Sequence, residues 1–380
     1  MLIVADENIP AVAEAFSAFG NVRLLPGREM RASDIRGAGV LLVRSVTRVN
    51  RELLDGSQVE FVGSATIGTD HVDLPWLKSQ GMEFVNAPGC NAVSAAEYVI
   101  ASVLLCARRN HLDLVGSTVG IVGCGNVGSR VQARFEAMGF ECLACDPPRA
   151  EREGTAGFVD METISGADIV TVHVPLERDG KHPTLGLINR EFIENLEPGT
   201  ILINTSRGNV HDESALKERL VRQDDIHAIL DVWRNEPGID AELVAKAAVA
   251  TPHIAGYSID GKLRATNRLY EAWCQFSHVT PEWDYQGRLP EPQIPCINLH
   301  NIGSPLQAIS VALPGVYDVL QDDRTLRNLC DDPDKDTGSG FDLLRRCYPV
   351  RRECGAYRVA GLNLSESVLS ALERFGFMLT

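Results

Sequence analysis

TVGIVGCGNVG, residues 118–128, is a short apolar run that empties into a glycine turn, and Ser129–Met138 beyond it has helical spacing. Strand, G-x-G-x-x-G turn and helix in that order form a dinucleotide-binding fingerprint. Each glycine has a physical task. Gly123 permits the tight turn, Gly125 lets a pyrophosphate approach the backbone, and Gly128 lets helix and strand close together. Asn126 and Val127 sit where the helix N-terminus offers unpaired N–H groups to an anion. The hexapeptide alone is weak evidence in a chain with 33 glycines among 380 residues; its flanking strand and helix give it weight. Asp146, eighteen residues past Gly128, ends the next apolar run. A carboxylate there can accept the adenosine ribose hydroxyls and repel a 2′-phosphate, which favours NAD over NADP. Its bland alternative is a turn-starting Asp before Pro147 and Pro148. Arg149 nearby is able to reach a phosphate.

Working outward, six apolar runs read as strands: Thr118–Val122, Phe140–Cys145, Asp168–Val174, Thr200–Asn204, Ile226–Asp231 and Ala247–Ala250. Helical stretches such as Ser129–Met138 and Asp212–Val221 separate them. The pattern predicts an α/β protein with a Rossmann-type, doubly wound cofactor domain over 94–256. Upstream, Leu2–Ala5, Val22–Leu25, Val40–Val43, Phe61–Ser64 and Glu83–Asn86 alternate with short helical segments. They predict a smaller, flavodoxin-like α/β substrate domain over 1–93, completed by 257–280. Ala95–Arg109 reads as one long, mostly apolar helix. Pro281, Pro290, Pro292 and Pro295 mark a linker, so 281–380 is expected to hold that linker and a separate C-terminal α+β domain.

Composition narrows the function classes. A net charge of −15 argues against nucleic acid as a partner. Tyr98–Ala107 is apolar for ten residues, whereas a membrane span needs roughly 20. The N-terminus reads as a strand, without the basic start of a secretion signal. Ten scattered cysteines fit a reducing cytoplasm. Cys142 and Cys145 match C-x-x-C but fall inside a strand run, where side chains three apart face opposite sides, so they read as strand filler. No metal is expected.

Three polar residues follow predicted strands of the cofactor domain. Arg207 lies in NTSRG (204–208), where a guanidinium can clamp a carboxylate and polarise the neighbouring carbonyl. Glu236 lies in DVWRNEP (231–237), and Asp231 at that strand's end is placed to hydrogen-bond a nicotinamide amide. His253 lies in TPHIAGYS (251–258). A lone histidine is more often structural than catalytic, but a glutamate on the neighbouring loop changes the odds. Together they read as a hydride-transfer site. His253 takes the proton of a substrate 2-hydroxyl, Glu236 orients the ring, and Arg207 fixes the carboxylate and stabilises charge on the reacting oxygen.

With VRSVT (43–47) and SATIGTDHVD (64–73), these motifs make residues 40 to 280 resemble the D-isomer-specific 2-hydroxyacid dehydrogenases. The resemblance implies a catalytic trio of Arg207, Glu236 and His253 and a chain that crosses twice between its two domains. Cofactor contacts are implied at Val174, Thr205, Ser206, Arg207, Asp231 and Gly256. The tail segment FDLLRRCYPVRREC (341–354) resembles a branch acting on a phosphorylated four-carbon 2-hydroxy acid in vitamin B6 biosynthesis. That likeness implies a homodimer through the C-terminal domain and substrate contacts at Ser45, Thr66 and Tyr257. A substrate carrying both carboxylate and phosphate needs a second cationic site. Arg44 and Arg48 are the first candidates, and Arg345, Arg346, Arg351 and Arg352 are alternatives if the tail reaches an active site. Two other readings stand beside this one: a dehydrogenase for 3-phosphoglycerate or hydroxypyruvate, and a nucleotide-sensing corepressor-like binding protein.

Overall fold

A computed structural model describes residues 1–380. The chain forms two compact units, Met1–Asn91 with Ser258–Pro290 and Ala92–Tyr257 with Glu291–Thr380.

In the first unit the strands β1 (Leu2–Asp6), β2 (Asn21–Leu25), β3 (Ala38–Val43), β4 (Phe61–Ser64) and β5 (Glu83–Asn86) are all parallel. Their order, β2-β1-β3-β4-β5, is the expected flavodoxin-like one. The helix Ile259–Phe276 packs Leu269, Tyr270 and Trp273 into one core with Ile3, Val40 and Phe61. Residues 281–290, expected as linker, instead pack on this unit. The Tyr270 hydroxyl accepts the N–H groups of Glu282 at 2.7 Å and Trp283 at 3.0 Å, and Arg288 pairs with Glu14.

The second unit is built on β6 (Thr118–Val122), β7 (Glu141–Cys145), β8 (Ile169–Val172), β9 (Ile201–Asn204), β10 (His227–Leu230) and β11 (Val249–Ala250), again all parallel. Helices on both faces leave β8 and β9 wholly buried, which is why they read as continuous apolar runs. The order is β7-β6-β8-β9-β10-β11, so the chain winds to one side of β6 and then to the other, and the glycine loop opens at that switch point. Beyond β7 a third strand is reduced to one hydrogen bond, Val159 N–H to Ala144 O at 2.8 Å. Five of the six strands are shorter than expected, and two of them for evident local reasons. Asp168 turns its carboxylate onto the Thr118 N–H at 2.7 Å, and Ala247 still caps the helix Ala241–Lys246. The long helix begins at Ala92, three residues early, and is buried along most of its length.

The tail strands β12 (Cys296–His300), β13 (Arg358–Leu362) and β14 (Met378–Leu379) run parallel, interleaved with helices, in the same compact unit as the cofactor sheet. Charged residues make that joint. Asp323, 0% exposed, accepts the Ala250 N–H of β11 at 2.9 Å and pairs with Arg109 at 2.7 Å. Arg327 donates to the carbonyls of Val244 at 2.7 Å and Ala247 at 2.6 Å, satisfying the end of the helix Ala241–Lys246. Arg351 lies 3.7 Å over the Tyr317 ring, donates to Ser94 O at 2.8 Å and pairs with the buried Glu97 at 3.5 Å. No helix is long and apolar enough to cross a membrane.

Candidate active site

The glycine loop has the shape its sequence requires. Gly123 has φ +87°, and a β-carbon there would lie 2.8 Å from Val174 Cγ1. A β-carbon on Gly128 would lie 1.9 Å from the Gly123 carbonyl oxygen. One on Gly125 would meet nothing within 4 Å, so this side of the loop is open to a ligand. The helix Gly128–Ala137 has no side-chain cap, and the N–H groups of Asn126 and Val127 make no hydrogen bond within the chain. These features fit a dinucleotide pyrophosphate. Asp146 does more than the sequence indicates. One oxygen accepts the Cys124 N–H at 2.8 Å and tensions the glycine loop; the other accepts the Arg149 N–H at 2.9 Å and caps the helix Pro147–Glu153. Arg149 is itself tied to Cys124 O at 2.9 Å and Glu153 at 2.8 Å. Cys142 and Cys145 carry thiols that burial pushes up to about 12 and about 11, consistent with inert strand filler.

Adjacent strands β9, β10 and β11 deliver the loops of Arg207, Glu236 and His253 to one edge of the sheet. Asn204, ending β9, organises the first. Its amide donates to Arg207 O at 2.9 Å and its oxygen accepts the Ser206 N–H at 2.9 Å and hydroxyl at 2.7 Å. The Arg207 guanidinium donates to Ser206 O at 2.8 Å. Gly208 then presses on the next loop, since a β-carbon would come 2.0 Å from the Trp233 carbonyl carbon. In that loop the Trp233 N–H donates to Glu236 Oε1 at 2.9 Å, which aims Oε2 at His253 Nδ1, 2.7 Å away.

His253 has φ +57°, a left-handed conformation costly for a non-glycine residue. Asp231 holds the loop in that state. Its carboxylate accepts the N–H groups of Ile254 at 2.8 Å and Ala255 at 2.9 Å and the Thr251 hydroxyl at 2.6 Å. Trp233 Nε1 adds a bond to Thr251 O at 3.0 Å. At 1% exposure Asp231 is committed to its own chain, more than the sequence reading of a nicotinamide contact implies.

The electrostatics follow from burial and pairing. Burial alone raises the Glu236 carboxyl, but the charge and hydrogen bond of His253, the Trp233 N–H and the charge of Arg345 together hold it below the usual range. Burial raises Asp231 despite the charge of His253 and its hydrogen bonds. The ring of His253 keeps 30% exposure, so its Nε2 side is reachable.

Val174 meets the glycine loop directly and Thr205 is tied to it through His173, which sequence reasoning missed. Its carbonyl would lie 2.9 Å from a β-carbon on Gly123, and its ring accepts or donates to Thr171 at 2.9 Å and Thr205 at 3.2 Å. Burial depresses this imidazole to about 3, so it is neutral. Gly256 and Tyr257 continue the His253 loop, and the Tyr257 ring meets Tyr348 edge-on at 5.5 Å. Ser45, Thr66 and Arg44 belong to the first unit. Ser45 is exposed after β3, Arg44 is half-buried, and the Thr66 hydroxyl pairs with Ser64 at 2.7 Å. Gly208 and Trp233 were also missed, because only the folded loops show their contact.

Comparisons with known proteins place the chain in a family. Residues 102–255 match the D-isomer specific 2-hydroxyacid dehydrogenase, NAD binding domain, and residues 288–376 match a domain of unknown function. An erythronate-4-phosphate dehydrogenase of Chromohalobacter salexigens is 46% identical over 99% of this chain and 98% of its own length. Another, from Azotobacter vinelandii, is 45% identical over 94% of each chain. Among solved structures, a Thermus thermophilus protein has a TM-score of 0.65 at 26% identity, covering 74% of this chain and 98% of that one. An NAD+-bound 3-phosphoglycerate dehydrogenase of Entamoeba histolytica has a TM-score of 0.63 at 25% identity, covering 73% and 95%. With likeness along nearly its whole length, tail included, the chain belongs to the erythronate-4-phosphate dehydrogenases, within the D-isomer-specific 2-hydroxyacid dehydrogenase family.

Proposed function

We propose that this protein oxidises 4-phospho-D-erythronate at C2 to 2-oxo-3-hydroxy-4-phosphobutanoate, an NAD-dependent step of pyridoxal 5′-phosphate biosynthesis. The observation that carries the reading is the 2.7 Å contact of Glu236 with His253, beside a glycine loop shaped for a dinucleotide. Bound NAD supplies the hydride acceptor, held by Gly123–Gly128, Asp146, Val174, Thr205 and Gly256. Glu236 accepts from Nδ1 of His253, so the proton of the neutral ring rests there and Nε2 is left bare. Nε2 takes the substrate hydroxyl proton as C2 loses hydride, and the carboxylate stabilises the imidazolium that forms. Arg207 binds the substrate carboxylate and polarises the reacting oxygen. In the reverse direction the same imidazolium returns the proton. Ser45, Thr66 and Tyr257 are assigned as substrate contacts on the family likeness, and Arg44 as a candidate cation for the substrate's second anionic group.

Two copies are proposed to pair through the tail. A groove of about 660 Å³, lined by Leu104 and Arg108 of the long helix and Leu306, Leu313 and Leu320 of the tail, lies away from the catalytic loops and offers apolar surface for that contact. Reduction of bound or added nucleotide by 4-phospho-D-erythronate, but not by 3-phosphoglycerate, tests the activity by near-ultraviolet absorbance. No reduced nucleotide, even at stoichiometric enzyme, would overturn the substrate assignment.

A further inference from the structure

The tail helix Thr337–Arg346 is anchored by Phe341, which is 0% exposed, and by Gly340, where a β-carbon would lie 2.2 Å from Leu329 Cδ1. Four residues on, along the same face, comes Arg345. Its guanidinium lies 5.9 Å from the centroid of Phe341 and 5.9 Å from that of Tyr257, in the loop that carries His253.

What separates Arg345 from the tail arginines that fix the joint is that no carboxylate pairs with it directly. Arg109 and Arg327 share Asp323, and Arg351 has Glu97, Ser94 O and the Tyr317 ring. Glu236, Asp342 and Asp231 act on Arg345 through space, and its buried Nε has no hydrogen-bond partner. A half-buried cation against two rings keeps its fork of donors for an acceptor that the chain does not supply. Against the effect of burial, Arg345 is also among the charges that lower Glu236 without pairing with it.

The substrate class proposed above has two anionic ends. Arg207 takes the carboxylate beside the reacting carbon, so the phosphate needs a different cation. We propose that Arg345 is a phosphate-binding residue of this site, so that the tail selects phosphorylated over unphosphorylated 2-hydroxy acids; the inference rests on the function proposed above. Arg351, weighed for the same role from sequence, is committed to structure, and Arg346 is exposed on the helix.

The test compares the native enzyme with Arg345→Met and Arg345→Lys. Bidentate recognition of phosphate by a partly desolvated guanidinium predicts a fall of about 30-fold or more in the ratio of kcat/KM for 4-phospho-D-erythronate to that for D-erythronate in Arg345→Met. Lysine should restore part of that ratio. If both substrates lose equally, Arg345 is only a brace for Tyr257 and the proposal is overturned. A calorimetric titration of the NAD-loaded enzyme with inorganic phosphate gives a readout independent of turnover. Binding by the native enzyme that Arg345→Met loses supports the assignment; equal binding, or none by the native enzyme, removes it. Should the native enzyme fail to oxidise 4-phospho-D-erythronate, the function above falls, and the phosphate titration still decides whether Arg345 holds an anion. If the methionine variant does not fold, Arg345→Gln is read in the same way.

Discussion

Replacing Glu236 with glutamine changes almost no volume and tests the site by hydrogen-bond inventory. Glutamate offers two acceptor oxygens; glutamine offers one acceptor and one donor group. Both acceptors are in use, one by the Trp233 N–H at 2.9 Å and the other by His253 at 2.7 Å. If the new amide nitrogen faces Trp233, a backbone donor loses its partner at a cost of about 1–3 kcal/mol. If it faces His253, the ring must take the other tautomer, with Nε2 protonated and unable to accept from substrate. In either arrangement the anion that stabilises the imidazolium is gone. With the ring 30% and the carboxylate 21% exposed, that charge interaction is worth about 3 kcal/mol once screening is allowed for. The corresponding loss of turnover is at least about 10²-fold. The assay pairs single-turnover nucleotide reduction with a fluorescence titration of NADH, whose affinity should stay near native. A glutamine variant that keeps a third or more of native turnover would refute the role given to Glu236.

The other predictions follow from particular contacts. His253→Ala and Arg207→Ala should each abolish most turnover while NADH still binds, and near-normal turnover in either rejects the assignment. In Gly208→Ala the new methyl meets the Trp233 carbonyl carbon at 2.0 Å, so the Arg207 and Glu236 loops separate and turnover falls more than about tenfold; native-like activity would show that their contact is dispensable. Asp146→Ser keeps a capping acceptor but loses the carboxylate, so the preference for NAD over NADP should shrink about tenfold, and an unchanged preference would count against the ribose contact. His173 and His211 are held by burial at about 3 and about 4, below the ordinary 6.5. Below pH 6.5 the unfolded chain gains protons that the folded one refuses, so stability should drop as pH falls towards 4, by about 1.4 kcal/mol per pH unit for each ring. Denaturant titrations at pH 7 and pH 5 measure this, and a His211→Asn variant with an unaltered slope would contradict it.

Much of the catalytic unit is legible in the sequence because parallel strands covered on both faces appear as unbroken apolar runs, and each ends where a glycine, proline or charge takes over. Asn204-Thr-Ser-Arg207 and Asp231 could be placed at strand ends for that reason. The sequence could not show what distant residues do to each other. Asp323 and Arg351 look like surface charges until the tail folds back and buries them, with Arg327 half-buried beside Asp323. The supposed linker at 281–290 is held by the Tyr270 hydroxyl and by the pairing of Arg288 with Glu14, contacts that carry no periodic signal. Asp146 shows its second role only when the Cys124 amide is seen pointing at it.

The two residues of β11 end the cofactor sheet, and Asp323 occupies the Ala250 amide there. Exposed strand edges invite pairing with other chains. Clipping the protein near residue 290 would therefore uncover a sticky margin and take from Glu97 its partners Arg351 and the Cys354 N–H. Proteolysis at that point should yield an aggregating remnant rather than a smaller working dehydrogenase.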